Sequence, residues 1–232
     1  MGNQLAPSTF QPMRAFVIGN GPSLRATPME RMRGEFTIAC NRFDLMGLDW
    51  DPDWWVMADV RHEDGWWDWD DLLHRRSEFV FRDQDRPVIE PLGRPNVRFI
   101  PRCEHIGGDF TPRQWHLPTP CEYGGSISIA LQLAVLMGRS PIYLVGCDLY
   151  RYRGPDDPDI NHFHPAYCPY KIRKSTGKEM IGPAEWARLN DRLVWAHEIA
   201  REGALARGCE ILNATVGGAL EVYPRVDLAD VV

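Results

Sequence analysis

Seven short apolar runs recur along the chain: AFVIG (15–19), FTIAC (36–40), WWVMA (54–58), EFVF (78–81), VRFI (97–100), PIYLVGC (141–147) and CEILNA (209–214). Most are continuous rather than alternating, the pattern of strands covered on both faces. Two longer segments carry helical spacing. GGSISIALQLAVLMG (124–138) is apolar almost all round, which predicts a buried helix ending at Gly138. AEWARLNDRLVWAHEIAREGALARG (184–208) sets Trp186, Leu189, Leu193, Ala196 and Ile199 at three- and four-residue steps, which predicts an amphipathic helix stopping at Gly208 before a strand. Strand–loop–strand units followed by helix–strand pairs predict a single α/β, Rossmann-like domain over 14–232, with a mostly parallel sheet flanked by helices.

Between these elements lie two irregular stretches. Residues 101–123 are rich in proline and aromatics, and 150–183 run for over thirty residues without a regular pattern. So long an excursion suggests a lid or binding loop. Residues 1–13 have neither a basic n-region nor an apolar h-region and fit a flexible leader rather than a signal peptide. No apolar stretch approaches the roughly 18 residues that span a bilayer. The net charge of −6 argues against a surface built for nucleic acid. None of the six cysteines forms a CxxC pair, and Cys40, Cys147 and Cys209 lie in or beside apolar runs, the usage of reduced cysteines in a cytoplasmic protein.

Ligands of open α/β sheets bind at the carboxyl ends of the strands. In this chain those ends carry Asn20-Gly21-Pro22-Ser23, Asn41-Arg42, Asp59 with Arg61 and His62, Gly146-Cys147-Asp148 followed by Tyr150 and Tyr152, and Asn213 with Thr215. Asparagine and aspartate are ordinary turn residues, yet their concentration at one edge points to a binding site. The first loop, GNGPSL, is neither G-x-G-x-x-G nor a Walker A loop. What it offers is a backbone that a ligand can approach closely, Asn20 and Ser23 as hydrogen-bonding groups, and a helix start at Ser23.

GNGPSL after a first strand and CNRF after a second resemble the bacterial sialyltransferases of glycosyltransferase family 42, and GGSISIALQLAVLMGRSPIYLVGCDLY is similar to that family's helix followed by its Gly-x-Asp strand. The same framework resembles a broader bacterial group related to archaeal 6-hydroxymethylpterin pyrophosphokinases, to which DPDWWVMAD and LNATVGGALEVYP look closer. The resemblance runs from about residue 14 to about residue 223. It implies a transferase with a nucleotide-activated donor, most simply a CMP-sugar, and a surface glycan as acceptor, with no cofactor required. By match it assigns Asn20, Gly21, Ser23 and Asn41 to nucleotide binding, Ser126 to the sugar or phosphate, and Tyr150, with Tyr152 nearby, to the departing phosphate. Tyrosine hydroxyls suit that task because charge develops on the leaving group.

The chain departs from the sialyltransferases at their histidine base, where it has Ile181-Gly182-Pro183. His162 and His164 of NHFHP then become the candidate bases. If that segment is extended, the two rings share a side and a metal with Asp148, Asp159 or Cys168 comes into consideration; a hydrogen-bonding loop histidine is the commoner case, and no metal ligand is assigned. Under a second reading Asp59 and Asp148 hold Mg²⁺ against a diphosphate and the acceptor is a small alcohol. Under a third the chain is a nucleotide-binding or glycan-assembly subunit without turnover. The tryptophans of DGWWDWDDLLHRR (64–76) suit sugar stacking, but a short helix anchored by them is simpler, and KIRK (171–174) fits a solvated loop. The sequence leaves a homo-oligomer open.

Overall fold

The computed structural model describes residues 13–58, 60, 67–101, 120, 125–149, 162–167 and 183–232, with backbone alone for 183–190. All seven apolar runs are strands: β1 Ala15–Ile18, β2 Thr37–Cys40, β3 Trp54–Met57, β4 Glu78–Arg82, β5 Val97–Ile100, β6 Ile142–Val145 and β7 Ile211–Asn213. They form one sheet in the order β5-β4-β3-β2-β1-β6-β7. Every pairing is parallel. This is the α/β, Rossmann-like architecture that the sequence predicts. The helices are α1 Trp69–Leu73, α2 Arg86–Ile89, α3 Ser126–Leu136 and α4 Pro183–Leu205. No helix among the described residues is long and apolar enough to cross a membrane.

The two faces of the sheet are filled differently. Val17, Ile38, Val56, Val80 and Leu144 point into a core shared with α3 and α4. Their neighbours along each strand, among them Phe16, Trp55, Phe79, Phe81 and Tyr143, point into a second core. Short 3-10 turns and the small helices α1 and α2 cover that side, so larger rings fill the space that a long helix would otherwise occupy. Trp55 stacks on Phe79 at 5.6 Å between ring centroids. On the other face, α3 lies between sheet and α4 with Ser128 through Val135 all buried, as its uniform apolarity predicts. Gly138, just past its end, has φ +67, the left-handed turn that closes such a helix.

Two details bear on the site. Pro183 is the first residue of α4, where its missing N–H costs no helical hydrogen bond. The tryptophan run forms the short helix α1, capped by Asp68 through Asp71 N at 3.1 Å. Trp67 and Trp69 stack on each other at 5.1 Å and pack against the aromatic core. These two indoles are anchors, as the simpler reading has it. Trp66 and KIRK fall outside the described residues.

Buried His197 on α4 supplies a pH dependence of folding. Its Nδ1 lies 3.0 Å from the Tyr223 hydroxyl, which itself donates to the His197 carbonyl at 3.0 Å. A hydroxyl has one proton to give, and here it goes to the carbonyl, so Nδ1 carries the hydrogen of the other bond. Burial pushes its pKa down to about 4. The unfolded chain, with a normal imidazole, binds a proton below about pH 6.5 that the folded chain refuses. Stability is therefore full above that pH and falls as pH drops toward 4, by on the order of 3 kcal/mol. Urea melts at pH 7 and 4.5 should show that loss, and His197→Gln should flatten this part of the slope.

Candidate functional site

The chain leaves β1 toward β2 and later returns on the other side of β1 with β6. The strand order therefore reverses between β1 and β6, the crevice where α/β sheets usually take a ligand. Here the chain's own backbone closes that crevice. Gly19 N donates to the Val145 carbonyl at 2.8 Å and Gly21 N to the Gly146 carbonyl at 2.8 Å. A Cβ on Gly19 would sit 2.4 Å from the Gly146 oxygen, and one on Gly21 would sit 1.8 Å from Asp148 Oδ2. The two glycines of the first loop are thus explained by contact with the loop after β6.

Asp148 completes this closure. Its Oδ2 accepts from Ser23 Oγ at 2.7 Å and its Oδ1 from Ser23 N at 3.2 Å. Burial raises its pKa, opposed by the Ser23 hydrogen bonds, which favour the carboxylate. An anion therefore already occupies the loop's donors, and it belongs to the protein. Ser23 is not a helix cap: it lies inside the 3-10 turn Pro22–Ala26, whose cap position is Gly21 without a side-chain bond. The loop's donors face inward because the carboxylate that needs them lies in the loop after β6, over a hundred residues away in sequence.

On the β2 side of β1 the picture is different. Asn20 is 9% exposed, and its Nδ2 donates to the Cys40 carbonyl at 2.8 Å. Its Oδ1 is buried and has no hydrogen-bond partner among the described residues. Asn41, next to Cys40, has φ +42, a left-handed conformation that asparagine tolerates better than most residues. Its Oδ1 accepts from Ala58 N at 3.2 Å and Ser126 Oγ at 3.1 Å, while its carbonyl accepts from Trp55 Nε1 at 2.7 Å. One asparagine thereby joins the ends of β2 and β3 to the start of α3. Gly125, at the cap position of that helix, offers no side chain. Among the described residues no side-chain cap therefore serves the first-turn N–H groups of α3, the end of a helix that suits water or an anion.

A further segment lies over the first loop. Phe163 N donates to the Asn20 carbonyl at 2.9 Å, and Arg25 Nε donates to the Phe163 carbonyl at 2.5 Å. The flanking histidines therefore come beside Asn20, but they do not converge. Residues 162–167 form a turn, with Tyr167 N donating to the His164 carbonyl at 3.0 Å, so the alternation of an extended strand does not apply. His162 stacks on Tyr167 at 3.7 Å between centroids, and His164 Nδ1 accepts from Ala166 N at 3.1 Å. Among the described residues no group of three or more histidine, cysteine or acidic side chains is placed to hold a metal.

The structure thus divides the sequence-predicted residues into two sets. Asn20, Asn41 and Ser126 meet in one corner, while Gly21, Ser23 and Asp148 lock the β1–β6 crevice. Asp59, Tyr150 and Tyr152 lie outside the described residues, as do Arg61, His62, Asp159 and Cys168. Asn213 and Thr215 are structural: Thr215 Oγ1 accepts from Cys147 N at 3.0 Å, and Asn213 Nδ2 donates to the Leu220 carbonyl at 2.8 Å. Cys40, Cys147 and Cys209 are buried free thiols. Burial raises the pKa values of Cys40 and Cys147, which makes these thiols poor nucleophiles.

Sequence reasoning missed two arginines. Arg25 fixes the Phe163 segment, and Arg225 gathers the loop after β7 through the carbonyls of Thr215, Gly217, Gly218 and Leu220. Neither stands in a motif, since their partners are carbonyls that any sequence provides. No protein-family model, characterised protein or solved structure matches the chain.

Proposed function

We propose that the protein is a transferase that binds a nucleotide-activated donor, with the nucleoside in the Asn20–Asn41–Ser126 corner and its phosphate toward the amino end of α3. The observation that carries this reading is the buried Asn20 Oδ1, which has no partner among the described residues. A buried acceptor without a donor costs about 1–3 kcal/mol, a cost that a ligand N–H or O–H would remove. Phosphate at neutral pH has few donors to give, whereas a base amino group or a ribose hydroxyl supplies one. The first loop therefore suits the nucleoside, and the uncapped α3 suits the phosphate.

Within this reading a CMP-sugar donor and a glycan acceptor remain the most specific proposal, resting on the resemblance of GNGPSL, CNRF and LVGCDLY to the sialyltransferases. His162 and His164 are the proposed bases, held beside the loop by the Phe163 hydrogen bonds. Asp148 is removed from the proposed ligand contacts. Both its oxygens are engaged by Ser23, and the residue is 2% exposed, which favours the metal-independent reading over Mg²⁺ held by Asp148.

A panel of CMP, CDP, UDP and ATP in thermal melts, with Mg²⁺ or EDTA, tests the proposal. CMP should raise the melting temperature equally in both, by several degrees at saturation. No shift with any cytidine or uridine nucleotide, or a shift with ATP alone that EDTA abolishes, would overturn it.

A further inference from the structure

At the opposite, amino-terminal edge of the sheet lies a separate groove of about 580 Å³. Its walls come from the residues before β1, β2, β3 and β6, and include Arg14, Glu35, Phe36, Asp53, Arg139 and Tyr143. A volume of this size accommodates a small organic molecule.

Most of the polar groups here are already engaged. The Arg14 guanidinium is paired with Glu35, with Nε to Oε2 at 2.9 Å, and also donates to the Val231 carbonyl. Asp53 Oδ2 accepts from Thr37 N at 2.8 Å. Two groups make no hydrogen bond or ion pair among the described residues. Arg139 lies over the Phe36 ring at 3.6 Å, its Nε is buried without a partner, and its guanidinium has no ion pair among the described residues. The hydroxyl of Tyr143, whose ring stacks on Phe16 at 5.2 Å, has no hydrogen bond among the described residues.

Stacking on Phe36 and position just beyond the carboxyl end of α3 explain why a cation stands at 139. They do not explain a buried N–H with no acceptor, in a protein where burying such a donor is costly. An acceptor that arrives with a ligand does. Two donors without a partner among the described residues line the one groove, one of them a guanidinium, and so match an oxyanion, while the aromatic rings beside them match an organic body.

We propose that this groove is a second ligand site, for a small organic oxyanion held by Arg139 and Tyr143. Asp53, exposed on the rim, opposes such a ligand by its charge and sets a ceiling on affinity.

The test is a titration of the ¹⁵N-labelled full chain with inorganic phosphate and, separately, with benzoate, against sodium chloride at matched ionic strength. Phosphate and benzoate distinguish a phosphoryl from a carboxylate ligand. One of them should give saturable amide shifts centred on Gly34, Phe36, Arg139 and Tyr143. Arg139→Gln should weaken that binding about tenfold or more, Tyr143→Phe should weaken it less, and Asp53→Asn should tighten it. Linear shifts that chloride reproduces, or saturation centred elsewhere, would overturn the proposal, as would unchanged affinity in Arg139→Gln. Should Arg139→Gln fail to fold, Tyr143→Phe keeps the ring stacked, and unchanged affinity in that variant contradicts the site. The corner at the carboxyl edge plays no part in this readout, so its own test stands apart.

Discussion

Gly21→Ala is expected to be among the most destabilising single changes in the chain. The backbone at Gly21 has φ −68, a value that any residue adopts, so conformational strain is not the cause. The cause is space. An added Cβ would lie 1.8 Å from Asp148 Oδ2 and 2.8 Å from the Gly146 carbonyl. To make room Asp148 must leave Ser23, which strands a buried carboxylate, or β1 and β6 must part at their carboxyl ends. A loss of about 4 kcal/mol or more in urea melts is expected. Gly34→Ala is the control: its φ is +84 but nothing lies within 4 Å of the new methyl, so about 1 kcal/mol is expected. Equal losses in the two variants would show that the crevice is not closed in the way described.

Asn41 should give the largest effect on ligand binding. Asn41→Ala removes the acceptor for Ala58 N and Ser126 Oγ and leaves a non-glycine residue at φ +42. Both effects destabilise, by about 2 kcal/mol together. Asn41→Gly relieves the backbone but keeps the loss of the side chain, so it should recover part of the stability and none of the nucleotide affinity. Asn41→Asp keeps an acceptor for both donors, yet places a negative charge close to the uncapped start of α3, where the proposed phosphate lies. It should fold nearly as well as the parent and bind CMP at least about tenfold more weakly. Calorimetry on the three variants separates the structural part of Asn41 from its part in binding. If Asn41→Gly binds CMP like the parent, the side chain has no role at the ligand.

The contrast between the two sides of β1 shows what the sequence made legible. Strands were plain because both faces of the sheet are covered, so AFVI, TIAC and IYLV are almost wholly apolar and do not alternate. The helix α3 was plain for the same reason. The edge where polar residues gather was legible too, since Asn20, Asn41 and Asp148 each lie within three residues of a strand's end. Their division was not. Whether a strand-end aspartate faces a ligand or a neighbouring loop depends on pairing across more than a hundred residues, as between Asp148 and Ser23. GNGPSL reads as a loop open to a phosphate until the carboxylate that fills it is placed. The turn at NHFHP was not legible because it is fixed by main-chain bonds to Asn20 and within itself, which leave no side-chain signature.

The central claim is that a nucleoside group meets the buried Asn20 Oδ1 in the corner built by Asn41 and Ser126. The most direct measurement is the ¹⁵N spectrum of the protein titrated with CMP, followed through the side-chain amide of Asn20 and the backbone amides of Asn41, Ala58 and Ser126. The account predicts saturable shifts that are largest at these four residues and are abolished in Asn20→Ala. Shifts centred elsewhere, or an Asn20 side-chain signal that stays in place while CMP binds, would contradict it.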